Sequence, residues 1–175
     1  MKKDTILKYT LLTLTTLVNV FIIVNACING TVSSQESGWF SKTFASVINF
    51  FSPNYINDSN FDNFASIIRK LVGHFGLFAV DGFVSTFTAY FFLKGLKSKT
   101  NLFFFLSTLL LGLLVASVSE FIQIFTPDRF GSFIDILIDF GGYLLGFGIA
   151  ISILLFEQVI PFKNTENIRV LRQFK

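Results

Sequence analysis

FIDILIDFGGYLLGFGIAISILLF, residues 133–156, decides the fold. At 1.5 Å per residue such a helix rises about 36 Å, enough to cross a hydrocarbon layer of roughly 30 Å. Its only charges are Asp135 and Asp139, both near its start. Asp135, Asp139, Gly142 and Gly146 fall at offsets of zero, four, seven and eleven, a single helical stripe. Two glycines four apart let another helix approach closely, so Gly142 and Gly146 are assigned to helix packing. The acidic part of the same stripe then faces the bundle interior.

Three further runs stay apolar for long enough to span: Ile6 to Ile28, Leu71 to Leu93 and Leu102 to Ile124. The composition agrees, since 52% of the 175 residues are hydrophobic and 14% charged, a larger apolar share than one soluble core needs. The expected fold class is all-α: a polytopic membrane protein with four transmembrane helices (about 6–28, 71–93, 102–124 and 133–156) in a single domain over residues 1–175. The first run has a second reading, a lipoprotein signal peptide with lipid attached at Cys27. Asn25 fits that pattern poorly and the apolar run is long, so a retained helix is the reading adopted.

Cations flanking short loops are held on the cytoplasmic side. With the N-terminus inside, Lys2, Lys3, Lys8, Lys94, Lys97, Lys99, Lys163, Arg169, Arg172 and Lys175 are cytoplasmic, ten of the fourteen Lys and Arg. Only Lys42, Arg69, Lys70 and Arg129 are external. Both termini are therefore expected in the cytoplasm, and the location is the cell membrane, multi-pass. Residues 29–70 then form an external loop. Phe44, Val47, Ile48 and Phe51 recur in it at helical spacing before Pro53, with Trp39 and Phe40 just upstream. That pattern suits a short amphipathic helix in the membrane interface, or equally a loop whose aromatics pack on the bundle.

Several function classes drop out. The net charge of +3 comes from cations dispersed between apolar runs rather than from a groove-sized basic surface, so nucleic acid is not an expected partner. A single cysteine, Cys27, permits neither an internal disulfide nor a cysteine zinc site. His74 is the only histidine, which excludes a multi-histidine metal site, and no stretch has the spacing of a calcium loop. No metal and no cofactor are expected.

Ionisable groups inside a span require partners, water or a function. On the second helix Lys70, His74 and Asp81 are spaced by four and seven and share one α-helical face. On the third, Glu120 and Gln123 are three apart near its end. Thr126 to Gly131 then make a turn carrying Arg129. These spacings bring His74, Glu120, Gln123, Arg129 and Asp135 to one level. Two readings stay open for the cluster. His74 either hydrogen-bonds a neighbouring helix or transfers protons or binds a headgroup; Glu120 and Asp135 either pair with Arg129 and Lys70 to fix helix register or bind a ligand. Asp139, one turn from Asp135, is expected protonated or leaning on Arg129 or Lys70.

Arg69, Lys70, His74, Phe75, Glu120, Gln123, Pro127, Arg129, Asp135, Gly142 and Gly146 together resemble the pattern of VanZ-like membrane proteins, over roughly residues 67–148. Two positions depart from it: Asp139 stands where the family pattern usually has asparagine, and Asp81 where an apolar residue is expected. The resemblance implies a role at a Gram-positive type of cell envelope, associated with resistance to the lipoglycopeptide teicoplanin; the leading reading of the residues is a non-enzymatic protein with an outward-facing ligand pocket. Its ligand-binding candidates are Arg69, Lys70, His74, Glu120, Gln123, Arg129, Asp135 and Asp139. The expected partners are membrane lipid and a lipid-linked envelope precursor or lipoglycopeptide. Two other classes remain: a membrane-embedded enzyme acting on lipid headgroups or lipid-linked sugars with His74 or Glu120 as base, and a small proton-coupled transporter using Asp81 and Asp139.

The orientation has a direct test in the lone cysteine. A membrane-impermeant maleimide added to intact cells is expected to label Cys27; labelling only after permeabilisation would reverse the topology.

Overall fold

The computed structural model describes residues 2–93 and 100–159, and every regular element among them is helical. Helix α1 runs from Lys2 to Cys27 and α2 from Gly30 to Phe51. Helix α3, Phe61–Ile68, continues through a π-helical stretch, Arg69–Gly76, into α4, Leu77–Leu93. Helices α5 (Thr100–Gln123) and α6 (Phe133–Val159) complete the chain. Four stretches are long and apolar enough to cross a membrane: Lys3–Cys27, Phe61–Leu93, Leu106–Gln123 and Phe133–Phe156. Their outward faces carry exposed Leu17, Phe21, Leu110, Leu114, Leu145 and Ile149, an apolar girdle suited to lipid rather than water. Lys94, Lys97, Lys99 and the tail after Pro161, which carry much of the cation asymmetry, lie outside the described residues.

The spanning helices alternate in direction. Tyr9 meets Phe92 edge-on at 6.4 Å, the Thr15 and Thr88 hydroxyls are 2.7 Å apart, and Asn19 Nδ2 donates to Asp81 Oδ1 at 2.8 Å. Helix α1 is therefore antiparallel to α4. At the opposite end of the bundle the Thr126 hydroxyl donates to the Ala26 carbonyl at 3.0 Å, and the Gly30 N–H donates to the Pro127 carbonyl at 3.0 Å. The end of α1, the turn after α5, the start of α6 and the π-helical stretch thus gather at one end.

Two segments are more helical than the spacing of their apolar residues suggests. Helix α2 begins at Gly30, well before Trp39, because the Asn29 carboxamide accepts the Thr31 N–H at 2.9 Å and starts the helix there. Its Trp39, Phe44, Val47, Phe50 and Phe51 remain exposed, while Ser41 and Ala45 are buried. The second spanning helix starts at Phe61, ten residues before Leu71, with Asp62 in the first turn where the helix dipole favours an anion. Asn54, at φ 61°, turns the chain between α2 and α3.

The closest helix pair is α4 with α6. A β-carbon at Gly142 would overlap the Phe75 carbonyl, and one at Gly146 would overlap the Ala79 carbonyl, so backbone meets backbone along this seam. Beneath the polar end, Ile22, Phe78, Ala116 and Tyr143 of four different helices form the buried core. The Tyr143 hydroxyl donates to the Thr108 carbonyl at 2.8 Å, which satisfies the one polar atom that this ring brings inside.

Gly146→Leu is expected to destabilise the detergent-solubilised protein by about 1–3 kcal/mol, because overpacking here must move backbone rather than a side chain. Gly148→Ala, whose β-carbon meets nothing within 4 Å, is expected to leave the thermal unfolding midpoint unchanged or slightly raised.

Candidate functional site

The gathered end of the bundle encloses a cleft of about 500 Å³. Ile22, Phe40, Leu77 and Phe78 give it an apolar side; Arg69, Lys70, His74, Gln123, Arg129, Asp135 and Asp139 give it a polar one. Three elements supply the polar groups, and each has a local reason for its placement.

The π-helical stretch carries Arg69, Lys70 and His74. Hydrogen bonds of the i→i+5 type widen this turn, and Gly73 and Gly76 lower the preference for the tighter α-helix. Lys70 Nζ donates to Asp135 Oδ1, and one turn further in His74 Nδ1 lies 3.0 Å from Asp139 Oδ1. Two groups four apart on one helix thus meet two groups four apart on its parallel neighbour, rung by rung. Asp81 does not join them. The wider winding shifts the phase of residues beyond it, and Asp81 turns to α1, where Asn19 and Ser85 both donate to its Oδ1 at 2.8 and 3.0 Å. Its Oδ2 is buried and has no hydrogen-bond partner.

The end of α5 supplies Glu120 and Gln123. Glu120 is 2% exposed, and both its oxygens are held: Gln123 Nε2 donates to Oε1 at 2.8 Å and the Ser132 N–H donates to Oε2 at 3.0 Å. Oε1 also lies 3.7 Å from His74 Nδ1. Ser132 can reach back over Glu120 because Gly131 has no side chain; a β-carbon there would overlap the Glu120 carbonyl. The same serine caps α6, its hydroxyl accepting the Ile134 N–H at 3.2 Å. Ser132 was not among the candidates read from sequence, although a serine three residues before Asp135 is a recognisable helix-start signal.

The turn between α5 and α6 supplies Arg129. Asp128 takes a left-handed conformation, φ 57°, which aspartate tolerates better than most residues, and the Arg129 N–H closes the turn on the Thr126 carbonyl at 3.2 Å. Arg129 is half-buried, and its Nη2 is buried with no hydrogen-bond partner. Burial and the neighbouring Arg69 guanidinium push its pKa down, while Glu120 pushes it up. An arginine remains charged through such shifts. Among the described residues no carboxylate comes within ion-pair distance of Arg129, and Arg69 makes only a 3.4 Å contact with the Ser34 hydroxyl.

The cluster is therefore sorted into a floor and a rim. His74 and Asp139 lie at the floor with Glu120 buried beside His74, Lys70 with Asp135 forms one wall, and Arg69 and Arg129 stand at the rim. The arrangement differs from the one that spacing suggests in two pairings: Asp139 leans on His74 rather than on Arg129 or Lys70, and Glu120 is tethered by Gln123 and Ser132 rather than paired with Arg129.

Residues 11–156 match the family described as VanZ/LLP1. The chain belongs to the VanZ/LLP1 family. Among curated proteins and solved structures, none matches it. The family match takes in the last three candidate spans whole and the first from residue 11 onward, and every residue lining the cleft, from Ile22 to Asp139, falls within it. Chemically, the VanZ cleft of this protein presents two guanidiniums, that of Arg129 with an unpartnered buried nitrogen, together with His74, the carboxylates of Asp135 and Asp139, and an apolar wall.

The Lys70–Asp135 pair is at the edge of this cleft, with the Lys70 side chain 39% exposed. Solvent screening then limits its strength. A double-mutant cycle with Lys70→Ala and Asp135→Ala, read by thermal unfolding in detergent, is expected to give a coupling of about 0.5–1 kcal/mol.

Proposed function

We propose that this VanZ-family protein is a non-enzymatic envelope protein that binds the anionic headgroup of a membrane-embedded amphiphile in the cleft. The observation that carries the reading is Arg129: a half-buried guanidinium whose inward nitrogen lacks a partner, facing a cavity beside a second guanidinium. An unsatisfied buried N–H is costly, and a phosphate or carboxylate oxygen satisfies it while matching the planar fork of arginine. The apolar wall of Ile22, Phe40, Leu77 and Phe78 suits the acyl or lipophilic part of such a ligand.

The position of the cleft supports a ligand that arrives from the membrane. Exposed Phe125, Phe130 and Phe133 ring the same end of the bundle, and α2 holds Trp39, Phe44, Phe50 and Phe51 outward nearby. Such aromatic belts sit at the headgroup level of a bilayer. With the N-terminus inside, this end is the outer one, where lipid-linked envelope precursors and lipoglycopeptides are found. Resistance to teicoplanin is the role that the family resemblance implies for a site of this kind.

In a sensitive Gram-positive host, the wild-type protein is expected to raise the inhibitory concentration of teicoplanin more than that of vancomycin. Arg129→Ala and Glu120→Ala proteins at equal membrane levels are expected to lose the protection. In parallel, retention of phosphatidylglycerol by purified protein should weaken about tenfold or more in Arg129→Ala, the loss of one charged hydrogen bond. Wild-type resistance and wild-type lipid retention in the variants would refute the site assignment.

A further inference from the structure

We infer that the floor of the cleft is a divalent-metal site, with His74, Glu120 and Asp139 as its protein ligands and a first-row transition ion such as Zn²⁺ or Mn²⁺ as the occupant. One potential ligand atom from each of these residues lies within 4.8 Å of the other two. The contacts from His74 Nδ1 are shorter, 3.0 Å to Asp139 Oδ1 and 3.7 Å to Glu120 Oε1. Metal–ligand bonds of about 2.0–2.2 Å place neighbouring ligand atoms roughly 3–3.5 Å apart, so small side-chain rotations close the set. One imidazole with two carboxylates is a donor set for Zn²⁺, Mn²⁺ or Fe²⁺, too nitrogenous for a calcium site and free of thiolate.

A second observation points to a ligand independently of the clustering. Asp139 is 0% exposed, it lines the cleft, and its Oδ2 has no hydrogen-bond partner. A buried carboxylate oxygen without a donor calls for a cation or a proton. The surroundings favour the cation. Lys70 is paired with Asp135, and among the described residues His74 is the one cationic or potentially cationic group within ion-pair distance of Glu120 and Asp139. A dication bound with neutral histidine brings the three-ligand set to zero net charge, which an apolar bundle interior tolerates far better than two carboxylates together.

The supporting groups are also those of a metal site. Glu120 is oriented by Gln123 Nε2 and by the Ser132 N–H, contacts of the kind that fix a ligating carboxylate from behind. His74 and Asp139 line the cleft together with Arg69 and Arg129, while Glu120 is buried beside His74, so an ion held here would be reached from the cleft. An anionic oxygen entering past the guanidiniums would reach the ion. Such a set is not legible in the sequence: three ligands from three separate helical segments form neither a multi-histidine pattern nor a calcium loop.

The test begins with purified full-length protein in neutral detergent, freed of metal by chelation and titrated separately with Zn²⁺ and Mn²⁺. Saturable binding of one ion per chain is expected, with Zn²⁺ the tighter, as the general affinity order of these ions requires. His74→Ala and Asp139→Asn should weaken it at least tenfold. Asp81→Asn should not, although Asp81 is an equally buried carboxylate with an equally unpartnered oxygen. Wild-type protein that binds neither ion saturably, or His74→Ala and Asp139→Asn proteins that bind as tightly as wild type, would overturn the proposal. Should those variants fail to fold, the wild type decides alone: pulsed electron paramagnetic resonance of the Mn²⁺-loaded protein must show a coupled imidazole nitrogen, and a spectrum without one rejects the site. No anionic lipid is present in these measurements, so metal binding at the floor stands or falls separately from headgroup binding at the rim.

Discussion

Charge inside an apolar bundle must find its complement on a neighbouring helix, and the rest of this structure is arranged around that requirement. Lys70 and His74 on the π-helical stretch meet Asp135 and Asp139 on α6. The two rungs demand that α6 and the π-helical stretch start at the same end, run in the same direction and lie almost in contact. Gly142 and Gly146 make the contact possible by bringing the backbone of α6 against the carbonyls of Phe75 and Ala79. In lipid there is no hydrophobic force between helices, so close packing and buried polar contacts hold such a pair together. Glycines and ion pairs on one stripe are two parts of a single device.

The same constraint explains why the turn between α5 and α6 is so closely tied down. It is clamped to the end of α1 by the Thr126 hydroxyl, to the start of α2 by the Gly30 N–H, and to α5 by the Ser132 N–H on Glu120. A loop fixed at three points can hold Arg129 over the cleft without giving it a carboxylate. The consequence is a separation of charge by depth. Acidic and imidazole groups lie at the floor, guanidiniums at the rim, and an apolar wall runs alongside. A cation below and an anion above are the ligands that such a separation suits.

Asp81 shows the limit of counting residues along a helix. On α-helical spacing it shares a face with Lys70 and His74, but the π-helical turn between them uses more residues per revolution and turns it toward α1. There it belongs to a stripe of polar contacts, Thr15 with Thr88 and Asn19 with Asp81, that fixes α1 against α4 away from the cleft. Helix α2 shows a different limit. Its apolar spacing is clear only from Phe44 onward, whereas the cap at Asn29 starts the helix at Gly30.

By itself the sequence determined that four apolar stretches are long enough to span, that Asp135, Asp139, Gly142 and Gly146 form one stripe, and that Glu120 and Gln123 lie together. Those conclusions need only the periodicity of one helix and the length of an apolar run, both of which are local. The tertiary structure decided who meets whom: Asp139 with His74, Asp135 with Lys70, Glu120 with the Ser132 backbone, and Arg129 with no carboxylate within ion-pair distance among the described residues. Pairing across helices depends on their relative height and rotation, which are set by the close approach at Gly142 and Gly146 and by the widened turn at Arg69–Gly76. A π-helical turn and the depth of a helix–helix contact arise from packing between segments far apart in the chain, and no spacing within either segment records them.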